Sequence, residues 1–110
     1  MIFITQGRYT EQATAGMLEH PEDRTPAFAA LLKAAGIKLL DAYWTLGEYD
    51  FLVVVDAKNE HEWMKALLVT AATGGLTDLK TMVAVSTADG EKAFAGARAL
   101  RNKFRPAGDA

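Results

Sequence analysis

The sequence predicts an α+β fold built on a four-stranded antiparallel sheet. The strand and helix patterns follow the order β-α-β-β-α-β, which predicts this sheet, and the third strand is apolar on both of its faces, which predicts that a further layer covers the sheet. With 110 residues the chain has the usual size of one domain. It contains no cysteine, which excludes thiol nucleophiles, disulfides and thiolate metal sites.

The first strand and the first helical segment are predicted close to the N-terminus. Residues 2–7 are rich in β-branched and aromatic side chains, and Gly7 is expected to end the strand. Thr10 precedes Glu11, a pattern typical of an N-cap followed by a carboxylate in the first helical turn. A break is expected at residues 20–25.

A second helix is predicted after this break. Thr25 is expected to be its N-cap, with Pro26 at the first helical position, where the missing N–H needs no partner. Gly36 is expected to end it. Both helical segments lie between the first and second strands of the predicted order.

The middle of the chain predicts a β-hairpin with an unusual third strand. Two strand-like runs, residues 37–46 and 49–57, are joined across Gly47-Glu48, and Gly47 provides a position for positive φ. Residues 51–55 are apolar on both faces, whereas the helices of so short a chain can cover only one face of a sheet. We therefore expect a second copy of the sheet to cover the other face in a two-fold dimer.

The rest of the chain predicts a helix, a fourth strand and a terminal helix. Asn59 with Glu62 three residues later resembles a capping box, and Gly74-Gly75 is expected to stop that helix. Residues 76–86 alternate as a strand, and residues 87–104 are predicted to form the last helix. The resulting βαββαβ order is the arrangement of ferredoxin-like domains.

Charge is distributed unevenly along the chain. Residues 90–110 hold five Lys/Arg and two Asp/Glu, a net +3, whereas residues 1–89 carry −5. The basic residues are Lys92, Arg98, Arg101, Lys103 and Arg105. We interpret them as a solvated helix end, not a nucleic-acid contact. The N-terminus lacks the layout of a signal peptide and no apolar run is long enough for a membrane span, so a cytoplasmic protein without membrane contact is expected.

The hairpin carries a short motif that identifies a family. Trp44 and Thr45 precede Gly47, Tyr49 and Asp50, and this pattern resembles the GYD-domain family from residue 2 to about residue 87. The resemblance implies a ferredoxin-like fold similar to the dimeric α+β barrels, a group that includes monooxygenases, decarboxylases and isomerases as well as proteins without known activity. Residues 1–87 then form a GYD-like domain, and residues 88–110 are a C-terminal helix and tail of the same domain.

Asp50 is the candidate for proton chemistry. Beside a cavity it could act as a general acid or base, with Tyr43 or Tyr49 as its hydrogen-bonding partner. In the alternative interpretation Asp50 accepts backbone N–H groups at the hairpin and serves the fold alone. The sequence favours the alternative, because a motif built around a turn glycine has a structural reason to exist.

A small-molecule site is expected on the concave side of the sheet. The residues predicted to line it are Tyr43, Trp44, Thr45, Asp50 and Thr81. Trp44 could donate its indole N–H into such a pocket, but the sequence favours the interpretation of Trp44 as a core residue.

No cofactor is expected. His20 and His61 lie on separate segments without the spacing of a metal motif, so we expect neither to bind a metal or haem. The sequence also lacks the glycine-rich nucleotide-binding motifs and the serine-hydrolase motif.

Three functions remain after these exclusions. The first is a homodimeric barrel that binds an apolar or aromatic small molecule. The second is a cofactor-independent monooxygenase, decarboxylase or isomerase that uses Asp50 and a tyrosine. The third is a non-catalytic structural or partner-binding module. A cavity with Asp50 directed into it would favour the second, and a filled interior with Asp50 bound to amides would favour the third.

Overall fold

A computed structural model describes residues 1–109 and shows an α+β fold with a single four-stranded sheet among them. The elements, in chain order, are β1 (Ile2–Tyr9), α1 (Glu11–Glu19), α2 (Thr25–Ala34), β2 (Lys38–Trp44), β3 (Phe51–Asp56), α3 (Glu60–Ala71), β4 (Leu76–Ala84) and α4 (Thr87–Ala97), followed by a 3₁₀ helix (Arg98–Lys103).

The sheet has the strand order β2-β3-β1-β4, and every neighbouring pair is antiparallel. The first and third strands therefore occupy the centre, with β2 and β4 at the edges. This order confirms the predicted ferredoxin-like βαββαβ arrangement.

The two central strands present different side chains to the two faces of the sheet. Phe3 and Thr5 of β1 and Val53 and Val55 of β3 are buried under the helices. The core consists of Phe3, Leu32, Ile37, Phe51, Val53, Val55, Ala57, Trp63 and Ala66. The apolar side chains on the opposite face, Ile2, Ile4, Leu52, Val54 and Met82, are only half-buried or exposed. We call this second surface the open face.

Strand β1 continues two residues beyond its predicted end at Gly7. Glycine is accommodated inside the strand because a Cβ at this position would lie 2.6 Å from the Phe51 ring and 2.7 Å from Leu79 Cδ2. The aromatic ring of the neighbouring strand occupies the space of the missing side chain, so Gly7 is a packing position and not a strand end.

Two of the three predicted helix caps are confirmed. The Thr10 side chain accepts a hydrogen bond from the amide of Ala13, and the Asn59 side chain accepts one from the amide of Glu62. The prediction for Thr25 is wrong by one residue. Helix α2 begins at Thr25, and the Asp23 carboxylate accepts the Thr25 amide at 2.9 Å.

The hairpin connection is longer than predicted. Strand β2 ends at Trp44 and β3 begins at Phe51, so the connection is residues 45–50 and not Gly47-Glu48 alone. The Thr45 amide donates to the Asp50 carbonyl at 2.8 Å, and the Thr45 hydroxyl donates to the Tyr49 carbonyl at 2.7 Å. These bonds close the loop at its base.

Gly47 lies at the tip of this loop with φ of +131°, as the sequence predicts. A side chain would meet no atom there, but the backbone conformation itself is one that L-residues rarely adopt. We expect Gly47→Val to cost on the order of 1–3 kcal/mol and to lower the melting temperature by several degrees. Thermal unfolding followed by circular dichroism measures the change, and equal melting temperatures would show that the loop tip tolerates an ordinary conformation.

Both edge strands are interrupted by an additional residue. Leu40 is the extra residue where β2 pairs with β3, and β4 contains one more residue than β1 around Asp78. Asp78 adopts a positive φ of 53°, which a short polar side chain tolerates. These irregularities are β-bulges.

The last predicted helix differs from the observed one. Residues 87–97 are α-helical, but residues 98–103 tighten into a 3₁₀ helix. We refer to residues 87–109 as the C-terminal arm. The radius of gyration of the chain is 18.7 Å and its long axis is 65 Å, whereas a compact domain of this size has a radius of about 13 Å. The arm therefore extends away from the sheet.

None of the helices described within residues 1–109 is both long and apolar enough to cross a membrane.

Candidate ligand-binding cleft

A cleft of about 400 Å³ lies between the sheet and the first three helices. Its walls come from β1, β2 and β3, from α1, α2 and α3, and from the segments that precede α2 and β4. The principal side chains of its lining are Thr5, Tyr9, Arg24, Phe28, Trp44, Phe51, Trp63 and Leu67. Most of these are aromatic, with a few polar groups between them.

Three aromatic rings form one wall at the hairpin end of the sheet. The Tyr9 ring centroid lies 5.0 Å from that of Trp44 and 5.1 Å from that of Phe51, with interplanar angles of 41° and 45°. Such tilted pairs are a favourable arrangement of aromatic rings. Trp44 is 70% exposed, so the prediction that it belongs to the core is wrong. It instead offers an uncovered aromatic surface at the mouth of the cleft.

The back of the cleft contains a buried polar network. The Trp63 indole N–H donates to the Thr5 hydroxyl at 3.1 Å, and the Thr5 and Thr81 hydroxyls are 2.7 Å apart. Phe28 packs edge-on against Trp63 with the ring centroids 6.5 Å apart. The network connects α3 to β1 and β4, so the interior of the domain forms this wall.

Charged side chains form the rim of the cleft before α2. Arg24 pairs with Glu22 through an N–O distance of 2.9 Å. Asp23 is bound by the Thr25 backbone amide, and this hydrogen bond lowers the pKa of the Asp23 carboxyl below its ordinary value. The rim therefore carries two carboxylates and one guanidinium group.

The surroundings of Tyr9 in the cleft make its hydroxyl harder to ionise. Burial, and secondarily the negative charge of Asp50, raise the pKa of Tyr9 above its ordinary value, while Arg24 acts in the opposite direction. The folded state therefore keeps the phenol proton at a pH where an unfolded chain would lose it.

We expect this displacement to make stability depend on pH in alkaline solution. Because the folded-state pKa is raised, the stabilisation is complete below pH ~10 and is lost as the pH rises through the folded-state pKa. Urea unfolding of the wild type and of Tyr9→Phe, at pH from about 8 to about 11, measures this. The wild type should lose more stability than the variant over that range, and parallel losses would contradict the prediction.

Asp50 does not line the cleft but connects β1 to the start of β3. Its carboxylate accepts the Tyr9 amide at 3.0 Å, and its own amide donates to the Gly7 carbonyl at 2.8 Å. Asp50 thus accepts a backbone amide, but this amide belongs to Tyr9 of β1 and not to the hairpin loop. That Asp50 acts as a proton donor or acceptor stays a prediction.

Removing the Asp50 carboxylate should destabilise the fold. Asp50→Ala leaves the half-buried Tyr9 amide without its acceptor, which we expect to cost about 1–3 kcal/mol. Urea unfolding at neutral pH measures the difference, provided that the denaturant dependence is unchanged. A variant more stable than the wild type would indicate that Asp50 serves a site at the expense of stability.

The other predicted site residues are separated from one another. Tyr43 borders the cleft but is exposed, and its hydroxyl donates to Asp41 at 3.3 Å. The Arg8 guanidinium lies over the Tyr49 ring, with Arg8 Cζ 5.7 Å from the ring centroid. Thr45 closes the hairpin loop, and Thr81 contacts Thr5 behind the cleft. Tyr43 and Trp44 are thus the two that border the cleft.

Tyr9, Phe28 and Trp63 are site residues that the sequence does not reveal, because only the fold brings them together. The available signal was their aromatic character on segments predicted to cover one face of the sheet.

Both histidines are exposed, His20 after α1 and His61 in the first turn of α3. Within residues 1–109 there is no group of three His, Asp or Glu side chains placed to hold a metal ion. That neither histidine binds a metal or haem stays a prediction.

This chain is similar to known proteins in both sequence and structure. A curated protein from Thermus thermophilus, named glutamine synthetase and cystathionine beta-lyase binding protein, is 28% identical over 87 residues, which cover 79% of this chain and 90% of that protein. The crystal structure of FFRP-DM1 aligns with a TM-score of 0.44 and 16% identity, covering 76% of this chain and 97% of that chain. The model of the GYD domain matches residues 3–94. The chain therefore belongs to the GYD domain family.

Proposed function

We propose that this chain is a binding protein that holds a small apolar or aromatic molecule in the cleft between its sheet and helices. The cleft of about 400 Å³ with its aromatic walls carries this proposal. Small-molecule sites are commonly roughly 300–1,000 Å³ and combine apolar walls with a few polar groups. Tyr9, Thr5 and Arg24 provide such polar groups here.

The position of Asp50 supports binding without chemical transformation. Its carboxylate is engaged by the Tyr9 amide, and it lies outside the lining of the cleft. The alternative of a monooxygenase, decarboxylase or isomerase needs this carboxylate, with Tyr43 or Tyr49, at a bound substrate. We therefore prefer a binding role to the enzymatic one.

Both tryptophans of the chain line the cleft, so their indole N–H resonances report on its occupancy. We expect added toluene, as the apolar aromatic probe, to shift the Trp44 and Trp63 resonances in a saturable manner. Ala27→Phe should abolish the shifts, because Ala27 is an exposed residue of the lining. Ala30→Phe on the same helix is the control and should bind as the wild type does. Unsaturable shifts, or equal binding by Ala27→Phe, would contradict the proposal.

We also propose that the protein is a homodimer joined through the open face. That face presents Ile4, Leu52 and Val54, none of them fully covered by the chain's own helices. Burial of apolar surface is the main driving force for association, and an antiparallel sheet can pack on its own copy in a two-fold arrangement.

The dimer can be tested at Val54. Sedimentation of the wild type should give a mass near twice 11.9 kDa, and Val54→Lys should give a folded monomer because it places a charge in the interface. Val69→Lys is a matched control, since Val69 is an exposed valine on α3, away from the sheet. A wild type that sediments as a monomer would overturn the proposed dimer.

Partner binding is a second candidate function. The Thermus relative is named for binding glutamine synthetase and cystathionine beta-lyase. In this chain Leu46 is fully exposed at the tip of the hairpin loop, next to the exposed Trp44. Gel filtration with each purified enzyme tests this candidate, with Leu46→Asp as the disruptive variant and Leu18→Asp as the control. Co-elution that Leu46→Asp does not weaken would exclude the loop as the contact.

We propose a cytoplasmic location and no cofactor. A chain without cysteine is suited to a reducing compartment, which supports the first of these.

A further inference from the structure

The C-terminal arm carries large apolar side chains that its own domain does not cover. Phe94 is 81% exposed, Leu100 65% and Phe104 79%. Exposed apolar residues are ordinary when scattered singly, but several on one projecting segment are typical of an interaction surface. The helical part of the arm, residues 87–103, is about 28 Å long at 1.5 Å per α-helical and 2.0 Å per 3₁₀ residue, enough to reach across a small domain.

The arm starts at the border of the open face. It follows β4, which is an edge strand, and Met82 and Ala84 of β4 lie on the same side of the sheet as Ile4 and Ile2, their cross-strand partners. In the dimer proposed above, a two-fold axis therefore places the start of each arm beside the second copy.

Charge favours a second copy as the surface that the arm contacts. Residues 98–105 contain four Lys/Arg and no carboxylate, whereas residues 1–86 hold seven Lys/Arg and eleven Asp/Glu, a net charge of −4. The arm of one copy and the body of another thus attract each other over a distance of about 10 Å at moderate salt. The chain's own body is not available to most of the arm, because the arm extends away from it.

We propose that the arms are exchanged in the dimer, so that Phe94, Leu100 and Phe104 of each copy pack against residues 1–86 of the other. This inference rests on the proposed homodimer. The arm would then add apolar contacts outside the sheet-to-sheet interface and bring its basic end to the acidic body of the partner.

Photo-cross-linking of the full chain tests the exchange. The chain has no cysteine, so Leu100→Cys creates a single site for a benzophenone label. The benzophenone-carrying protein is equilibrated with wild-type protein that is enriched in ¹⁵N and carries no benzophenone. Mass spectrometry then distinguishes links between copies from links within one copy. Leu18→Cys is the control, because Leu18 is an apolar residue of α1 that is 81% exposed.

We expect Leu100→Cys to link to residues 1–86 of the other copy and Leu18→Cys to give few such links. Links only within one copy, or no links, from a protein that sediments as a dimer would overturn the exchange and leave the dimer intact. A monomeric mass would overturn the dimer and the exchange together.

In the full chain, replacing both Phe94 and Phe104 with serine should also raise the dimer dissociation constant about tenfold or more. An unchanged constant would equally contradict the exchange, and Leu18→Ser serves as its control.

Discussion

Val53→Lys is expected to abolish folding, whereas the same change at the next residue leaves the chain folded. Val53 is 8% exposed and lies among the core side chains beneath the helices. A lysine there would bury an ammonium group without a partner, at a cost comparable to the whole stability of a small domain, on the order of 5 kcal/mol or more. Val54 points to the open face, where a lysine head group can reach water in the monomer.

Circular dichroism and urea unfolding of the two variants measure this difference. Val53→Lys should lack a cooperative transition, and Val54→Lys should retain one. If both variants unfold at the same urea concentration as the wild type, the assignment of the two faces of β3 is wrong.

Trp63→Ala is expected to have the second largest effect. Trp63 is among the largest fully buried side chains, and its loss would remove the Phe28 contact and extend the cleft into the core. Truncation of a buried aromatic residue costs about 3–5 kcal/mol. Trp44→Ala is the matched control, because Trp44 is largely exposed, and its truncation should cost less than about 1 kcal/mol.

Thr5→Val separates the packing of Trp63 from its hydrogen bond. Valine has the shape of threonine but can neither accept the indole N–H nor bond the Thr81 hydroxyl, so the buried Trp63 donor loses its partner at a cost of about 1–3 kcal/mol. Urea unfolding of the three variants should rank the losses as Trp63→Ala, then Thr5→Val, then Trp44→Ala. Equal losses for the two tryptophan variants would show that Trp63 is not the centre of the core.

The fold was predictable where a local signal and the global arrangement agree. The Thr10 and Asn59 caps act within three residues, and the β-branched residues of β3 favour a strand without help from distant segments. The hairpin was harder, because strand propensity continues through Thr45 to Leu46 while hydrogen bonds to Tyr49 and Asp50 close the loop. Propensity alone does not register such bonds.

The candidate site was less predictable than the fold. The sequence directs attention to the motif around the hairpin, since glycine and paired aromatic residues are conspicuous there. The cleft instead depends on Phe28 and Trp63, two aromatic residues from different helices that pack on each other over the sheet. No spacing along the chain encodes this approach, and only Trp44 and Tyr43 are shared by the predicted and observed linings.

The bulges in the two edge strands have a consequence for how copies of this protein can meet. An exposed edge strand offers unpaired N–H and C=O groups on which further strands can add, and long regular edges invite fibrous aggregation. In β2 the extra Leu40 breaks the regular spacing of these groups beside the charged Lys38 and Asp41, and in β4 the turn at Asp78 does the same. Growth by strand addition is thereby disfavoured at both edges. The association that we propose through the open face uses the broad side of the sheet instead, where a two-fold contact closes after two copies and does not propagate.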